Sequence, residues 1–239
     1  MKIMVISDLH YDKRIFHGID ESKAWEWLLS IVDYHRPDLL LSCGDWGHDI
    51  NREEFYELLK RTLVFSIYGD HENVNVLKSL YNIRTDNQLP VLMEDGRVYR
   101  INNLNIAGTN GIIASERKVK KGVPRKLAED FIEIANKLRN EDIDILLIHE
   151  VPALKEVYPE IRVDHATRAV LEAIRIVKPK LVFNGHLHWS CYSTYRFEDI
   201  GTLYIRVDSS QKHRCYAILY PNSMKVEIWR DFKLLTKVL

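Results

Sequence analysis

The chain has 239 residues, 46% of them hydrophobic, which suits a folded α/β protein and excludes a disordered one. Lys plus Arg (34) balance Asp plus Glu (34), so global charge points to neither a nucleic-acid nor a membrane partner. The three cysteines, Cys43, Cys191 and Cys215, are scattered and odd in number, so neither a disulfide framework nor a cysteine-type zinc site is expected.

The opening MKIMVISDLH is too short for a signal peptide, and no apolar run nears the ~18 residues of a membrane span, so a cytoplasmic enzyme is expected. Charged residues reach 28% with only two glutamines, a composition that fits a hyperthermophile.

In chain order, residues 2–7 form a short apolar run and residues 21–34 carry helical periodicity. Residues 39–42 are apolar again, 52–60 are amphipathic, and 63–67 are another strand-like run. This alternation predicts βαβ units on a largely parallel sheet. Between residues 90 and 107 short strands are broken by Asp95-Gly96 and Asn102-Asn103. A helix is predicted at about 125–140, followed by strand 143–148, helix 165–177 and strand 180–183. The tail from 191 to 229 reads as a β-meander of alternating Tyr, Val and Ile. With no repeat or linker in view, residues 1–239 are expected to form one domain of two packed sheets with outer helices.

Five polar segments each follow a predicted strand: Asp8-Leu9-His10, Gly44-Asp45, Gly69-Asp70-His71-Glu72, His149-Glu150 and Gly185-His186-Leu187-His188. Loops after the carboxyl ends of parallel strands gather at one sheet edge, where α/β proteins bind ligands. Oxygen and imidazole donors without thiolate suit Mn, Fe or Zn. Seven such donors exceed what one tetrahedral zinc takes, and they fit two ions ~3.5–4 Å apart.

The ordered pattern DxH, GD, GN/DHE, H, GHxH, running from residue 8 to residue 188, resembles the signature of the calcineurin-like metallophosphoesterases. The resemblance implies an α/β fold: a four-layer αββα sandwich, two mixed β-sheets flanked by helices, with a dinuclear metal site at the edge. It implies that Asp8, His10 and His188 hold one ion, that Asp45 bridges, and that Asp70, His149 and His186 hold the other. It implies a catalytic role for His71, near the leaving group. The expected cofactors are two divalent transition-metal ions, with Mn2+ first and Fe or Zn as alternatives.

Two positions depart from the family pattern. Asp70 stands where asparagine is usual, and His48 stands where an aspartate often pairs with the catalytic histidine, with Asp49 following. Glu72 and Glu150 are expected to be structural. Trp46, Tyr68 and Trp189 flank the motifs and are expected to pack rather than stack on substrate.

The expected reaction is phosphate-ester hydrolysis by metal-bridging hydroxide, with His71 as general acid. Two divalent ions bring four positive charges, which Asp8, Asp45, Asp70 and the hydroxide cancel. A neutral site with no amide donor at position 70 disfavours a monoester, whose charge near pH 7 is about −1.5 to −2, so a diester preference is expected. Six of the ten residues at 117–126 are basic, and this stretch is expected to form part of the cleft wall.

A protein-binding scaffold, the role of a retromer subunit with the same fold, is disfavoured because every ligand position carries a competent donor. A repair nuclease is disfavoured because only 32 residues follow Val207, too few for a DNA-capping domain, so no stable DNA complex is expected. The expected partner is a phosphate-ester substrate, nucleotide-like or otherwise. Oligomeric state is not legible.

Overall fold

In this computed structural model, residues 1–85 and 88–238 are described. Two six-stranded sheets lie at the centre. In the first, strands Ile3–Ile6, Leu39–Ser42 and Leu63–Ser66 run parallel, and Cys215–Tyr220, Lys225–Arg230 and Lys233–Lys237 extend the sheet antiparallel from the Ile3–Ile6 side. In the second, Leu104–Thr109, Ile145–Ile148, Leu181–Asn184 and Thr202–Val207 run parallel, with Tyr99–Ile101 and Tyr192–Phe197 antiparallel at the edges.

Strand alternation builds the layers. Ile3, Val5, Leu39 and Leu41 face inward and meet Ile145, Leu147, Leu181 and Phe183 of the other sheet. The intervening Met4, Ile6 and Leu40 pack outward under helices Ala24–His35 and Arg52–Leu59. Leu146, Ile148 and Val182 do the same under Ala128–Leu138 and His165–Val177. The parallel strands are therefore buried on both faces, which is why they read as continuous apolar runs. The result is the expected αββα sandwich.

The helices that carry the chain between strands have legible signals. Ala24–His35 buries Ala24, Leu28, Ile31, Val32 and His35 along one face, and ends where Arg36 turns left-handed (φ 48°) before Pro37. His165–Val177 opens with a capping box, in which the Asp164 carboxylate accepts from Thr167 N and Thr167 Oγ1 accepts from Asp164 N, both at 3.1 Å. It stops at a left-handed Lys178 before Pro179.

Three expectations need correction. The tail is not one meander: after Val207 the chain leaves the second sheet and joins the first, because Cys215–Tyr220 pairs with Ile3–Ile6. The helix expected from residue 125 begins at Ala128, because Val123–Arg125 pairs with Lys118–Lys120 as a hairpin. Cys191 and Cys215 also form a disulfide, with Cα atoms 5.6 Å apart, because that crossover folds the two sheets' ends against each other. Cys43 alone stays free and is buried. Among the described residues no helix is long and apolar enough to cross a membrane.

Candidate active site

The loops after six parallel strands converge on one edge, and they are bonded to one another. Asp8 N donates to Gly44 O (2.9 Å), His10 N to Asp45 O (2.9 Å) and Tyr11 N to Trp46 O (2.7 Å), which zips the first two loops. The third is pinned through Asp45, whose Oδ1 accepts from Asp70 N (2.6 Å) and His71 N (2.8 Å). Gly69 has to be glycine, since a Cβ there would collide with the Asp45 carboxylate and the His149 ring. The last loop is drawn in by Asp8, whose carboxylate accepts from His186 N at 2.9 and 3.0 Å. Asp8 (φ 58°), His10 (φ 50°), Asp45 (φ 59°) and His186 (φ 71°) all occupy left-handed backbone, a conformation that non-glycine residues hold at a cost and that gathers at functional sites.

Two clusters result. Donor atoms of Asp8, His10 and His188 lie within 4.8 Å of one another, and so do those of Asp70, His149 and His186. Asp45 Oδ2 lies 3.7 Å from His10 Nε2 and 3.4 Å from His149 Nε2, between the clusters. All seven residues singled out as ligands are thus brought together at one edge. His71 stands beside them, its ring 5.2 Å from that of His10 and its Nε2 3.7 Å from Asp70 Oδ2.

The imidazoles are turned by groups that the sequence analysis passed over. His188 Nδ1 is hydrogen-bonded to Asp208 Oδ2 (2.9 Å) and His149 Nδ1 to Cys43 O (2.8 Å). In the neutral rings this leaves Nε2 as a lone pair facing inward, the orientation a ligating histidine needs. Those lone pairs meet other nitrogens, His188 Nε2 facing His10 Nε2 and His149 Nε2 facing His186 Nδ1, each at 3.2 Å. Carboxylate oxygens crowd the same space. Burial works against a charged imidazole, yet Asp45 and Asp70 hold His149 well above the ordinary histidine value, Asp70 raises His186, and Asp208 with Asp8 raises His188. Converging lone pairs and carboxylates of this kind fit two divalent cations.

Asp208 follows strand Thr202–Val207 as Asp8 follows Ile3–Ile6, so the strand-then-carboxylate signal was present. Arg206 could not be read that way. It is fully buried, and its guanidinium donates to Leu187 O, Ser190 O and Ser190 Oγ, fixing the loop that carries His186 and His188.

The sequence profile of the calcineurin-like phosphoesterases matches residues 1–190. The chain belongs to that family. It is a hydrolase of phosphate esters, from a family that works with two metal ions. The fold of this phosphoesterase is similar to that of TT1561 of Thermus thermophilus, at 14% identity over 96% of this chain and 98% of that one, with a TM-score of 0.66. It is also similar to the purple acid phosphatase PPD1 of yellow lupin (Lupinus luteus) seeds, at 13% identity, with a TM-score of 0.53 over 99% of this chain and 53% of that one. No curated protein matches it in sequence.

The two departures from the family pattern have structural answers in this phosphoesterase. Asp70 Oδ2 lies 3.2 Å from Nη2 of Arg125, a residue only 8% exposed. Burial alone would raise the Asp70 carboxyl, but the imidazoles of His149 and His186 hold it far below the usual range. At the other position, Asp49 does not reach His71; its carboxylate accepts from Lys13 N (2.6 Å). The His48 ring packs 5.6 Å from that of His71 instead. Burial lowers the His71 pKa, partly offset by Asp45 and Asp70.

The remaining flanking residues are structural. Glu72 is buried, and its Oε1 accepts from Asp45 N (2.5 Å), bolting two loops together. Glu150 caps Ile113 N and Val151 N. Trp46 is fully buried, with its indole bonded to Ser66 Oγ, and Tyr68 is buried at 8% exposure. Trp189 differs, being 54% exposed. Of the basic stretch, Lys118, Lys120 and Lys121 stay exposed, while Arg125 reaches Asp70.

Proposed function

We propose that residues 1–239 act as one catalytic domain that hydrolyses a phosphate ester with two divalent ions, Mn2+ first among Mn, Fe and Zn. Asp8, His10 and His188 would hold one ion, and Asp70, His149 and His186 the other. Asp45 would bridge them. The observation that carries this reading is the position of Asp45 Oδ2, 3.7 Å from one cluster and 3.4 Å from the other, with Oδ1 already committed to backbone. Bound there, the ions would supply an activated water and positive charge against the phosphoryl oxygens.

The chain's own groups do the rest. Asp208 and the Cys43 carbonyl hold the tautomers of His188 and His149. The carboxylates near the His71 ring are the proposed metal ligands Asp45 and Asp70, while Asp49 is committed to Lys13 N, so His71 would act as a general acid without a separate aspartate behind it. It would protonate the leaving oxygen.

The diester preference expected from a neutral site loses its premise at Arg125. One guanidinium beside Asp70 restores the positive charge that an asparagine at position 70 would have left. That contact favours a second reading, a phosphomonoesterase. A cytoplasmic location now has to accommodate the Cys191–Cys215 bridge, as cytosolic proteins of hyperthermophiles do.

The test is hydrolysis of nitrophenyl phosphate and bis-nitrophenyl phosphate with Mn2+ present and after chelation. Metal-dependent turnover of either supports the enzyme reading, and a higher kcat/KM on the monoester supports the second. Inertness towards both, and towards a wider panel of esters, would return the scaffold reading to favour.

A further inference from the structure

Asp208 stands where the chain passes from one sheet to the other. It follows strand Thr202–Val207 of the second sheet, while Ser209 already bonds to the first, its N donating to Ser7 O (2.8 Å). The main chain of Asp208 makes one hydrogen bond to each side. Its N donates to Cys191 O (3.0 Å), beside the end of the second sheet. Its O accepts from Cys215 N (2.9 Å), at the start of a strand of the first. Those two partners are the residues that the disulfide joins, so the cystine closes a clamp around Asp208. Hydrogen bonds at strand ends open more readily than those inside a sheet. A covalent tie between the two partners opposes the separation in which both would open together.

The clamped residue is the one that turns a proposed metal ligand. Asp208 is fully buried, its Oδ1 accepts from Ser210 N (2.9 Å), and its Oδ2 meets Nδ1 of His188 at 2.9 Å. Arg206 fixes the loop that carries His188, through Leu187 O and Ser190 O, and Asp208 fixes the turn of the ring. The other cluster has no such clamp. His149 is turned by the carbonyl of Cys43, whose thiol is free and buried in the core between the sheets.

We infer that the Cys191–Cys215 cystine is a redox-sensitive positioning device for His188. Reducing it loosens the hold on the ion of Asp8, His10 and His188 and spares the ion of Asp70, His149 and His186. The inference rests on the two-ion reading of the clusters, and it adds a means of regulation. The step is thiol–disulfide exchange with a dithiol. Cys215 is fully buried and Cys191 is partly exposed, so the reductant's thiolate attacks the Cys191 sulfur and releases Cys215, which takes up a proton. The reductant's second thiol then closes on its own sulfur in the mixed disulfide and releases Cys191, which takes up the other proton. Two electrons and two protons pass to the protein, and the dithiol leaves as a cyclic disulfide.

The experiment has two arms. In the first, Mn2+ binding is measured by equilibrium dialysis on oxidised protein and on protein reduced with dithiothreitol and desalted without oxygen. Oxidised protein should bind two ions. Reduction should leave the affinity for one unchanged and weaken the other about 10–100-fold, the usual cost of losing a group that orients a ligating histidine. Cys191→Ser should match the reduced protein, and reoxidation should restore the wild type alone. Asp208→Ala, kept oxidised, should weaken the same single ion, with little added by reduction, and Asp208→Asn, which keeps an acceptor, should recover part of the loss. In the second arm, hydrogen exchange is followed in metal-free protein. Reduction should speed exchange at the Asp208 and Cys215 amides and leave strand Ile145–Ile148 unchanged. Equal weakening of both ions would make the cystine a general staple and overturn the inference. So would unchanged binding, or a bridge that dithiothreitol cannot open in the folded protein. Failure of oxidised protein to bind two ions, with exchange still rising at Asp208, would sink the two-ion reading and keep the cystine's hold on Asp208.

Discussion

Nη2 of Arg125 lies 3.2 Å from Oδ2 of Asp70, so the position where this chain departs from its family's asparagine is answered by a buried cation 55 residues away. The two residues should behave as a unit. Arg125→Gln removes a charged partner worth about 1.5–3 kcal/mol and should lower kcat/KM on nitrophenyl phosphate by roughly tenfold or more. The loss on bis-nitrophenyl phosphate should be smaller, because a diester brings less charge. Asp70→Asn should move the preference the other way, towards the monoester. The double variant should depart from the sum of the two single effects, and strict additivity in that cycle would mean the residues are uncoupled.

Asp45 is the residue whose loss should reach furthest. Its Oδ2 lies between both clusters while its Oδ1 accepts from the Asp70 and His71 amides. Asp45→Ala should abolish activity and lower metal content, measured by elemental analysis, from two ions per chain towards none. Asp8→Ala should spare more of the Asp70, His149, His186 cluster. Full metal content in Asp45→Ala would exclude a bridging role.

His71 should show its role through the leaving group. His71→Ala should cost ~10²–10⁴-fold on an alkyl ester, whose alkoxide needs a proton, and much less on a nitrophenyl ester, which does not. Metal content should not change. Equal losses on both would assign His71 to positioning.

Away from the site, His35 is buried with its Nε2 2.9 Å from the Tyr216 hydroxyl, and burial, helped by Lys2, depresses its pKa to about 4. The folded state thus prefers the neutral ring. Its contribution is complete above the unfolded value near 6.5 and is lost as pH falls towards 4, up to about 3 kcal/mol. Urea unfolding at pH 7 and pH 5 should show a smaller pH difference in His35→Gln than in the wild type. An unchanged difference would mean that the ring already titrates near its ordinary value.

The Cys191–Cys215 bridge, at a sequence separation of 24, ties the residue before strand Tyr192–Phe197 to the first residue of Cys215–Tyr220 in the other sheet. Reduction, or Cys191→Ser, should cost about 2–4 kcal/mol of stability. Thiol titration of the unreduced, denatured chain should find one free thiol, Cys43. Three thiols would show that the pair is not oxidised.

The local pattern was strong wherever burial is two-sided. Leu39–Ser42 and His165–Val177 were legible to the residue, because a parallel strand between two layers is apolar throughout and a capped helix carries its own boundaries. Helix Ala128–Leu138 was placed too early, because Val123, Pro124 and Arg125 owe their conformation to the strand opposite and not to their own propensity. The two-stranded hairpins at 15–20 and 118–125 were invisible for the same reason, being short and largely solvent-facing.

The sequence by itself determined the family and the edge at which the seven proposed donors gather, since each sits directly after a strand and the parallel order of those strands leaves only one edge for them to meet. Only the tertiary structure decided who stands behind the donors. Asp208 turns His188, Arg206 fixes its loop, and Arg125 answers Asp70. These residues come from separate elements with no fixed spacing to the motifs. Their contacts depend on the crossover of the tail between sheets and on the hairpin at 118–125, and such long-range pairings leave no local pattern in the chain that makes them.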